Sequence, residues 1–506
     1  MNSKTLSLAA SAFALLIGVF GASPALSQDR DITIVLGGAL DNVEACNMSV
    51  GYIGQVLKEN VIETLTIRST EDGSVQPRLA LSWEQPDANR WRIKLRDGVK
   101  FHNGAAMDAA AVAESLNRLL STKLECYDRY RMFSNMTITP EVVDPLTLDL
   151  VSTSPLPLMP VYLTVAGITA PGTDPDAFSN EPVGTGPFVF SEWDPAQKIV
   201  IKQFADYWGE KPEVQQATYI WRSESALRAA MVPAGEADIG TQISPQDATD
   251  TNLDHSYLTG ETTRVRMFQN AEPFNDIRVR RALNYATDRQ ALIGTIFSPD
   301  VVPATQLMLP TIAGYNPDIK GYEYNPALAK QLLDEARADG VNVDAPIDLI
   351  GRIGFFPNQE EALQAMIQMW AQVGFNVKLT MLDRVDWLKL VNKPFDRTRP
   401  ATLIQEQHDN SYGDAAFTTT FHYHSASAKA DEVYPDLDKI LDAAAVETGE
   451  KRAKLFGEAY QYVVDNIVPD VLMFHMVSYL RISPELSYEP NSQTNGMIEL
   501  ARIGFN

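Results

Sequence analysis

Phe274-Asn275-Asp276-Ile277-Arg278-Val279-Arg280-Arg281-Ala282-Leu283-Asn284-Tyr285-Ala286-Thr287-Asp288-Arg289 is the stretch from which the fold prediction starts. Asn275 or Asp276 can cap the N-terminus of a helix, because a short polar side chain accepts from the free N–H groups of the first turn. Val279 and Leu283 follow four residues apart, on one apolar face. Arginines fill the other face. The stretch predicts an amphipathic helix at the entry to a second lobe, with arginines in structural roles.

Composition describes a soluble globular protein. The chain has 506 residues, 45% of them hydrophobic and 21% charged, which is enough for two or three domains. Its formal net charge of −23 makes nucleic acid and anionic membrane surfaces poor partners.

The first 27 residues differ from the rest. Lys4 is their only charge, Leu6 to Phe20 is almost wholly apolar, and Ala25-Leu26-Ser27 offers small residues for cleavage. This pattern predicts a secretory signal peptide over residues 1–27 and a mature protein that starts near Gln28. No cysteine follows the apolar run, so we expect an unlipidated protein in a bacterial periplasm or secreted.

Two cysteines, Cys46 and Cys126, lie 80 residues apart. In an oxidising compartment they predict one disulfide, which would stabilise by roughly 4 kcal/mol in the chain-entropy model. The alternative is two buried free thiols. Neither arrangement indicates catalysis.

Helix and strand patterns alternate with short loops along the chain, which favours an α/β fold. The predicted elements are a strand at 31–36 ending in the turn Gly37 to Asp41, helices at 51–65 and from Asp108, a helix opened by Asn325-Pro326, a strand at 347–350, a helix opened by Pro357-Asn358, and a strand at 375–379.

Several of these segments resemble family 5 of the bacterial extracellular solute-binding proteins, the receptors for dipeptides, oligopeptides and nickel that feed ABC importers. The segments are Leu79 to Glu84, Trp91 to Leu95, Arg96 to Gly104, Val183 to Phe188, Asp206 to Pro212 and the stretch quoted first. They cover nearly the whole mature chain in the family's order.

The resemblance implies a two-lobed periplasmic binding protein fold (class II, cluster C type) with an extra small α/β insertion domain. It places lobe I at residues 28–68, 184–269 and 477–506, the insertion at 69–183, and lobe II at 270–476. The hinge strand is expected around Val265 to Asn270.

No sequence pattern supports an enzyme. The chain has no Gly-x-Ser-x-Gly elbow, no His-Glu-x-x-His pair and no phosphate-binding Gly-x-x-x-x-Gly-Lys loop. We therefore predict no catalytic residues, no cofactor and no metal site.

The richest polar stretch is Gln405 to Asp414, followed by Phe421 to His424, and it holds three of the six histidines. If Leu403 to Gln407 is a strand, the residues after it lie at the carboxyl end, where open α/β sheets bind ligands. The spacing of His422 and His424, with His408 or Asp409 as a further ligand, is weak evidence for a metal site. A solvated or hydrogen-bonded histidine pair is the more common outcome of such a spacing.

The resemblance implies roles for residues in this stretch. Peptide receptors of the family use an aspartate just ahead of a Gly-Asp pair to receive the ligand's amino terminus. Gly413-Asp414 matches the pair. Ser411 stands at the ungapped position, and Asp409 fits if the loop is two residues longer; we assign the amine to Asp409.

Dipeptide receptors also hold the ligand's carboxylate with an arginine in the first turn of the helix that contains Trp370. Glu360 and Glu361 stand there in this chain, which speaks against a plain dipeptide. Arg352, at the end of the preceding strand, can act as an anion clamp instead.

The sequence therefore predicts a monomeric receptor that closes two lobes about a peptide or peptide-like solute and passes it to the permease subunits of an ABC importer. Alternatives are a receptor for nickel, an opine or an oligosaccharide and, from another class, a secreted metal-dependent hydrolase using His408, His422 and His424. The predicted ligand contacts are Arg352, Gln407, His408, Asp409, Asn410 and Tyr412 on lobe II, and on lobe I Asp41 with the backbone of its loop.

Overall fold

The computed structural model describes residues 30–71, 73–133, 136–492 and 496–506. The predicted signal peptide, residues 1–27, and the predicted mature start at Gln28 lie outside these ranges. Within them, no helix has both the length and the apolar character that crossing a membrane requires.

The strands are numbered in chain order. They are β1 (Asp31–Leu36), β2 (Thr66–Arg68), β3 (Val75–Pro77), β4 (Ala80–Asp87), β5 (Arg90–Leu95), β6 (Ile138–Asp144), β7 (Thr147–Ser152), β8 (Phe188–Asp194), β9 (Lys198–Gln203), β10 (Gln216–Trp221), β11 (Ile239–Ile243), β12 (Asp254–Met267), β13 (Val302–Pro303), β14 (Pro346–Arg352), β15 (Asn376–Leu382), β16 (Thr402–Asp409), β17 (Asp470–Ile482), β18 (Leu486–Ser487) and β19 (Gly504–Phe505).

The α-helices are numbered in the same way. They are α1 (Gly51–Leu57), α2 (Ala109–Leu120), α3 (Met159–Tyr162), α4 (Ser225–Met231), α5 (Ile277–Tyr285), α6 (Pro326–Ala338), α7 (Gln359–Val373), α8 (Arg384–Val391), α9 (Phe421–Tyr423), α10 (Pro435–Ala445) and α11 (Gly449–Tyr462).

One mixed sheet runs through both lobes. Its strand order is β15-β14-β16-β12-β17-β11-β1-β10-β9-β8, with β13 paired to β17. The long strands β12 and β17 lie side by side in the middle and join the halves, because β17 pairs with β11 on one side and β12 pairs with β16 on the other. The predicted α/β architecture with two lobes is confirmed.

The pairing of β12 with β17 is irregular at one point. Leu258 lies opposite Val477 and Thr262 opposite His475, so four residues of β12 advance against two of β17. Such a bulge bends a strand and interrupts its ladder. Pairing of β12 with β16 begins at Glu261, within this bulge. The domain boundaries and the hinge at 265–270 remain predictions.

The first quoted stretch forms α5, as predicted. The Asp276 side chain caps it by accepting from the Arg278 N–H at 2.8 Å, and Val279 and Leu283 are fully buried. Arg280 is buried too, and its guanidinium donates to the carbonyl oxygens of Phe274 and Ile467. The arginine face of α5 is therefore partly buried, and Arg280 links the helix to the segment that precedes β17.

The segment predicted as the insertion contains a separate sheet, β4-β5-β7-β6, which packs with α2 around its own apolar core. The predicted disulfide between Cys46 and Cys126 is formed, with Cα atoms 5.3 Å apart. It joins the segment after β1 to the chain that follows α2.

The helix predicted at 51–65 is shorter than expected. It ends at Leu57, because Lys58 is extended and Glu59 has a φ of 60°. This turn lets the carboxylates of Glu59 and Glu63 both reach Arg78, at 3.2 and 2.8 Å. A tertiary ion pair thus outweighs local helix propensity.

Candidate functional site

Strand β16 presents two different faces, because side chains alternate along a strand. Gln405, Gln407 and Asp409 lie on one face, which we call the odd face. Glu406 and His408 lie on the other, which we call the even face. The register with β12 places Glu261 opposite Asp409, Thr263 opposite Gln407, Thr262 opposite His408 and Arg264 opposite Glu406.

The odd face ends in two neighbouring carboxylates. Asp409 and Glu261 are half-buried cross-strand partners where β12 passes between the lobes. Burial, followed by the charge of Asp409, raises the pKa of Glu261 to about 8, while Gln407 and Arg352 act in the opposite direction. Asp409 accepts from the Ser411 N–H at 2.8 Å, which turns the chain out of the strand.

Arg352 lies at the end of the neighbouring strand β14. Its guanidinium stacks on Phe355 at 3.6 Å and lies 5.5 Å from the ring centroid of Trp387. Burial, together with the charge of Arg384, lowers its pKa. Its Nε is buried and has no acceptor among the described residues. Arg352, Gln407 and Asp409 all act on the carboxyl group of Glu261, and their role as ligand contacts stays a prediction.

The even face is a packed polar core. Arg264 is 2% exposed and bonds the carboxylates of Glu406 and Asp470. Burial raises the pKa of Glu406, but Lys429, Arg264 and Arg266 outweigh it and bring the pKa to about 2. Each charge here meets an opposite charge of the protein itself.

His408 belongs to this even face, so the structure does not bring it to the surface of Asp409. Its Nδ1 lies 2.9 Å from Nε2 of His422, and its Nε2 lies 2.8 Å from the Thr418 hydroxyl. Since Arg264 can only donate to Nδ1 of His422, at 2.8 Å, His422 donates through Nε2 to His408. Burial, and then the charge of Arg264, lowers the pKa of His408 to about 3.

The histidines of the hydrolase alternative are not assembled. His424 bonds Asp442 at 3.1 Å, whereas His408 and His422 bond each other. No group of three or more histidine, cysteine, aspartate or glutamate side chains in the described part of the chain could hold a metal ion.

The loop after β16 is held by protein contacts. Asn410 donates to Thr262 at 3.1 Å and to the Leu307 carbonyl at 3.0 Å, and it is buried. The Tyr412 hydroxyl accepts from Arg131 at 2.9 Å, and its ring packs with the core of the insertion sheet. These two predicted contacts therefore dock the loop rather than line an open surface.

Gly413 and Asp414 also dock this loop, and each position requires its own residue type. Gly413 has a φ of 66°, and a Cβ there would lie 1.8 Å from the Arg68 guanidinium. Arg68 also donates to the Ser411 carbonyl at 3.3 Å. Asp414 forms a two-point ion pair with Arg452, at 2.7 Å each. The Gly-Asp pair thus lets the loop approach the first half of the chain.

The turn after β1, which is predicted to supply the contacts of lobe I, packs against α1. Tyr52 packs against Gly37 and Gly38, and its hydroxyl donates to Gln242 at 2.9 Å. A side chain at Gly37 would meet the Tyr52 hydroxyl at 2.6 Å. Asp41 lies on the exposed part of the loop.

Sequence reasoning missed Glu261 and Arg131. Glu261 follows a glycine in a polar stretch, a composition that usually indicates a solvated strand end. Only the register of β12 with β16 shows that Asp409 lies beside it. The charge of Asp409 acts on Arg131, which comes from a segment nearly 280 residues earlier. No local signal links them.

Comparison with known proteins places this geometry in a family. Residues 74–427 match the family model described as bacterial extracellular solute-binding proteins, family 5 middle. The dipeptide-binding protein of Escherichia coli (strain K12) is 26% identical over 452 residues, covering 81% of this chain and 83% of that protein. The glutathione-binding protein GsiB of Salmonella paratyphi A is 29% identical over 378 residues, covering 72% and 71%.

Solved structures share the fold. The unliganded open form of the periplasmic murein tripeptide binding protein MppA superposes with a TM-score of 0.80 at 19% identity, covering 95% of this chain and 98% of that one. NikA from Brucella suis, in complex with Fe(III)-EDTA, gives 0.79 at 24% identity, covering 94% and 100%. The predicted two-lobed periplasmic binding protein fold is confirmed. Because the family model matches well over half of the residues, this chain belongs to family 5 of the bacterial extracellular solute-binding proteins.

Proposed function

We propose that this chain is the periplasmic receptor of an ABC importer, that it binds a peptide or peptide-like solute between its lobes, and that it performs no covalent chemistry. One observation carries the proposal. Asp409 and Arg352, of opposite charge, end the neighbouring strands β16 and β14 beside the two strands that join the lobes. A ligand with charged ends needs partners of both signs when it is buried.

In this proposal Asp409 receives the ligand's ammonium, and Arg352 receives an acceptor such as a carboxylate. Arg352 has a buried Nε to offer, and its stacking on Phe355 holds the guanidinium in one plane. The ligand drives closure only if it binds the closed state better than the open one, so lobe I must add contacts through the backbone of 37–41.

The proposal also covers location and partners. Signal cleavage near Gln28 delivers an unlipidated, monomeric protein to the periplasm, where it meets the permease subunits of its importer. The names of related proteins support a binding role, since they are a dipeptide-binding protein and glutathione-binding proteins.

The test is isothermal titration calorimetry of the purified mature protein with di-alanine, tri-alanine, glutathione and nickel chloride. We expect a peptide to bind and Asp409→Asn to weaken it at least about tenfold, since a hydrogen bond to a charged group contributes about 1.5–3 kcal/mol. Asp436→Asn, at an exposed site on α10, is the matched control.

Unchanged affinity in Asp409→Asn would remove the amine assignment. Failure of every peptide to bind would remove the peptide function. Peptide hydrolysis that stops when a chelator is added would favour the hydrolase instead.

A further inference from the structure

A cavity of about 90 Å³ lies between α5, β13, the end of α11 and the start of β17. Its walls are largely apolar and include Ala304, Val463 and Val468, while the exposed residues Pro303 and Lys320 form its rim. One buried water needs only about 10–15 Å³, whereas sites for drug-sized ligands begin near about 300 Å³. The cavity therefore has room for a molecule of a few heavy atoms.

The cavity lies on the other side of the sheet from Asp409. Leu472, which lines it, is opposite Arg264 on β12, and Arg264 is opposite Glu406 on β16. Residues directly opposite each other on neighbouring strands share one face of the sheet. The cavity thus adjoins the even face of β16, and the sheet separates it from the odd face that holds the proposed ligand contacts.

Arg289 lines this cavity and is 9% exposed, and no carboxylate of the described residues forms an ion pair with it. Its Nε donates to the Leu472 carbonyl oxygen at 2.5 Å, and its Nη2 donates to Oδ1 of Asn284 at 2.9 Å. Its Nη1 reaches three carbonyl oxygens, of Asn284, Thr287 and Tyr322, each at 3.4 Å. Since N–H···O bonds usually span about 2.7–3.2 Å, Nη1 is only weakly bonded.

Arg228 shows how the same chain satisfies another buried guanidinium without an ion pair. Its three nitrogens donate to four carbonyl oxygens at 2.7 to 2.9 Å. Burial lowers the pKa of Arg289 to about 10, with Tyr322 acting in the opposite direction, so Arg289 is charged at neutral pH. A buried charge is unfavourable unless it is paired and well bonded. Arg289 therefore has a place for a further acceptor that Arg228 lacks.

The other charges on the walls favour an anion at Arg289. Asp470 accepts from Arg264 at 3.1 Å and from Tyr423 at 2.6 Å, so its charge already has a partner. Its Oδ1 has no donor among the described residues and would repel an anion. The amide of Asn284 lies between the two, because it accepts from Arg289 and donates to the Asp470 carbonyl oxygen. Lys320 at the rim adds a second positive charge.

We propose that this cavity is a second binding site and that it takes a short-chain monocarboxylate such as butyrate. The carboxylate accepts from Nη1 of Arg289, and hydrogen bonds between charged groups are the strong ones. The alkyl chain packs against Ala304, Val463 and Val468, where it leaves water. An alcohol of the same length lacks the charge. The inference goes beyond the proposed function and does not rest on it.

Saturation-transfer difference NMR on the mature protein tests the site, with sodium butyrate and n-butanol as probes in the same concentration of sodium chloride. Wild type should bind butyrate at least about tenfold more tightly than n-butanol. Arg289→Met removes the charge and keeps an apolar side chain, so it should weaken butyrate at least about tenfold and change n-butanol little. Arg337→Met, at an exposed arginine of α6, is the matched control and should bind butyrate as wild type does.

A second variant tests the cavity itself. Ala304→Leu fills the space and leaves Arg289 in place, so both probes should lose their binding. Far-ultraviolet circular dichroism checks the fold of each variant. Should Arg289→Met not fold, Ala304→Leu decides: loss of butyrate binding is expected, and unchanged butyrate affinity overturns the site.

Three results would overturn the proposal. They are no binding of butyrate to wild type, equal affinity for butyrate and n-butanol, and butyrate binding that Arg289→Met retains. If Arg352→Met abolishes the binding that Arg289→Met retains, the anion binds at the end of β14 instead. The peptide function is judged separately by tri-alanine binding, so it stands or falls independently of these results.

Discussion

The two faces of β16 show how one strand can serve two purposes. On the even face, Glu406 and His408 are surrounded by side chains of the protein, and Arg264 lies between the carboxylates of Glu406 and Asp470. On the odd face, Gln405 and Gln407 keep unbonded atoms, and Asp409 faces another acid.

The difference teaches that burial alone does not identify a binding site. Both faces are polar and largely buried, yet the charged groups of the even face pair with one another, whereas Asp409 on the odd face lies opposite a second acid. We expect substitutions on the even face to change stability, and those on the odd face to change ligand binding.

The largest effect should come from Arg264→Met. Removing one member of a buried ion network leaves uncompensated carboxylates, so the free energy of unfolding should fall by about 3–5 kcal/mol. Urea denaturation followed by circular dichroism measures it. Arg337→Met, whose ion pairs with Asp334 and Asp344 are exposed and screened by solvent, should cost far less. Equal losses in the two variants would contradict the difference between the faces.

Lowering the pH should reduce the stability that comes from His408 on the even face. The pKa of His408 falls from its ordinary 6.5 to about 3 in the folded protein. Below pH 6.5 the unfolded chain therefore binds a proton that the folded protein does not, and stability is lost as pH falls. Between pH 7 and 5 the contribution of His408 should drop by about 2 kcal/mol.

His408→Gln removes that titration, so its unfolding free energy should depend less on pH over this interval, by about the same 2 kcal/mol. Urea titrations of both proteins at pH 7, 6 and 5 decide the point. Parallel curves would mean that His408 is not held neutral.

Raising the pH should reduce the stability that comes from Glu261 on the odd face. The pKa of Glu261 is raised to about 8, so its folded form keeps a proton that the unfolded form has lost above pH 4.5. The stability linked to it is fully present below pH 4.5 and is lost as pH rises through 8. Since Glu261 is half-buried, we expect Glu261→Gln to lose about 1–2 kcal/mol less than wild type between pH 6 and 9. A steeper loss in the variant would reverse the assignment.

The smallest effect on stability should come from Gln407→Met. This change removes a bond to Glu261 together with an unsatisfied oxygen, so the two contributions oppose each other and the net change should stay within about 1 kcal/mol. Tri-alanine affinity should fall all the same. A stability loss as large as that of Arg264→Met would show that both faces are structural.

Much of the fold could be predicted from the sequence, because its signals are local. The cap at Asp276 and the spacing of Val279 and Leu283 identify α5, and Asn325 caps α6 by accepting from the Leu328 N–H at 3.0 Å. The helix predicted at 51–65 failed for a reason that is not local, namely the ion pairs of Glu59 and Glu63 with Arg78.

The site could be predicted only in part. The polar stretch and the end of β14 contain Gln407, Asp409 and Arg352, which the structure places on neighbouring strands, and their role in ligand binding stays a prediction. The strand was expected to end at Gln407 but continues to Asp409, so His408 follows the alternation and points away from Asp409.

By itself, then, the sequence determined the α/β class, the disulfide partners, the family resemblance and the stretch that holds the candidate site. Only the tertiary structure decided which residues of that stretch face the same way and that Glu261 lies beside Asp409. The physical reason is that helix caps and apolar periodicity act within a few residues, whereas strand register joins residues almost 150 positions apart and is set by the packing of whole faces.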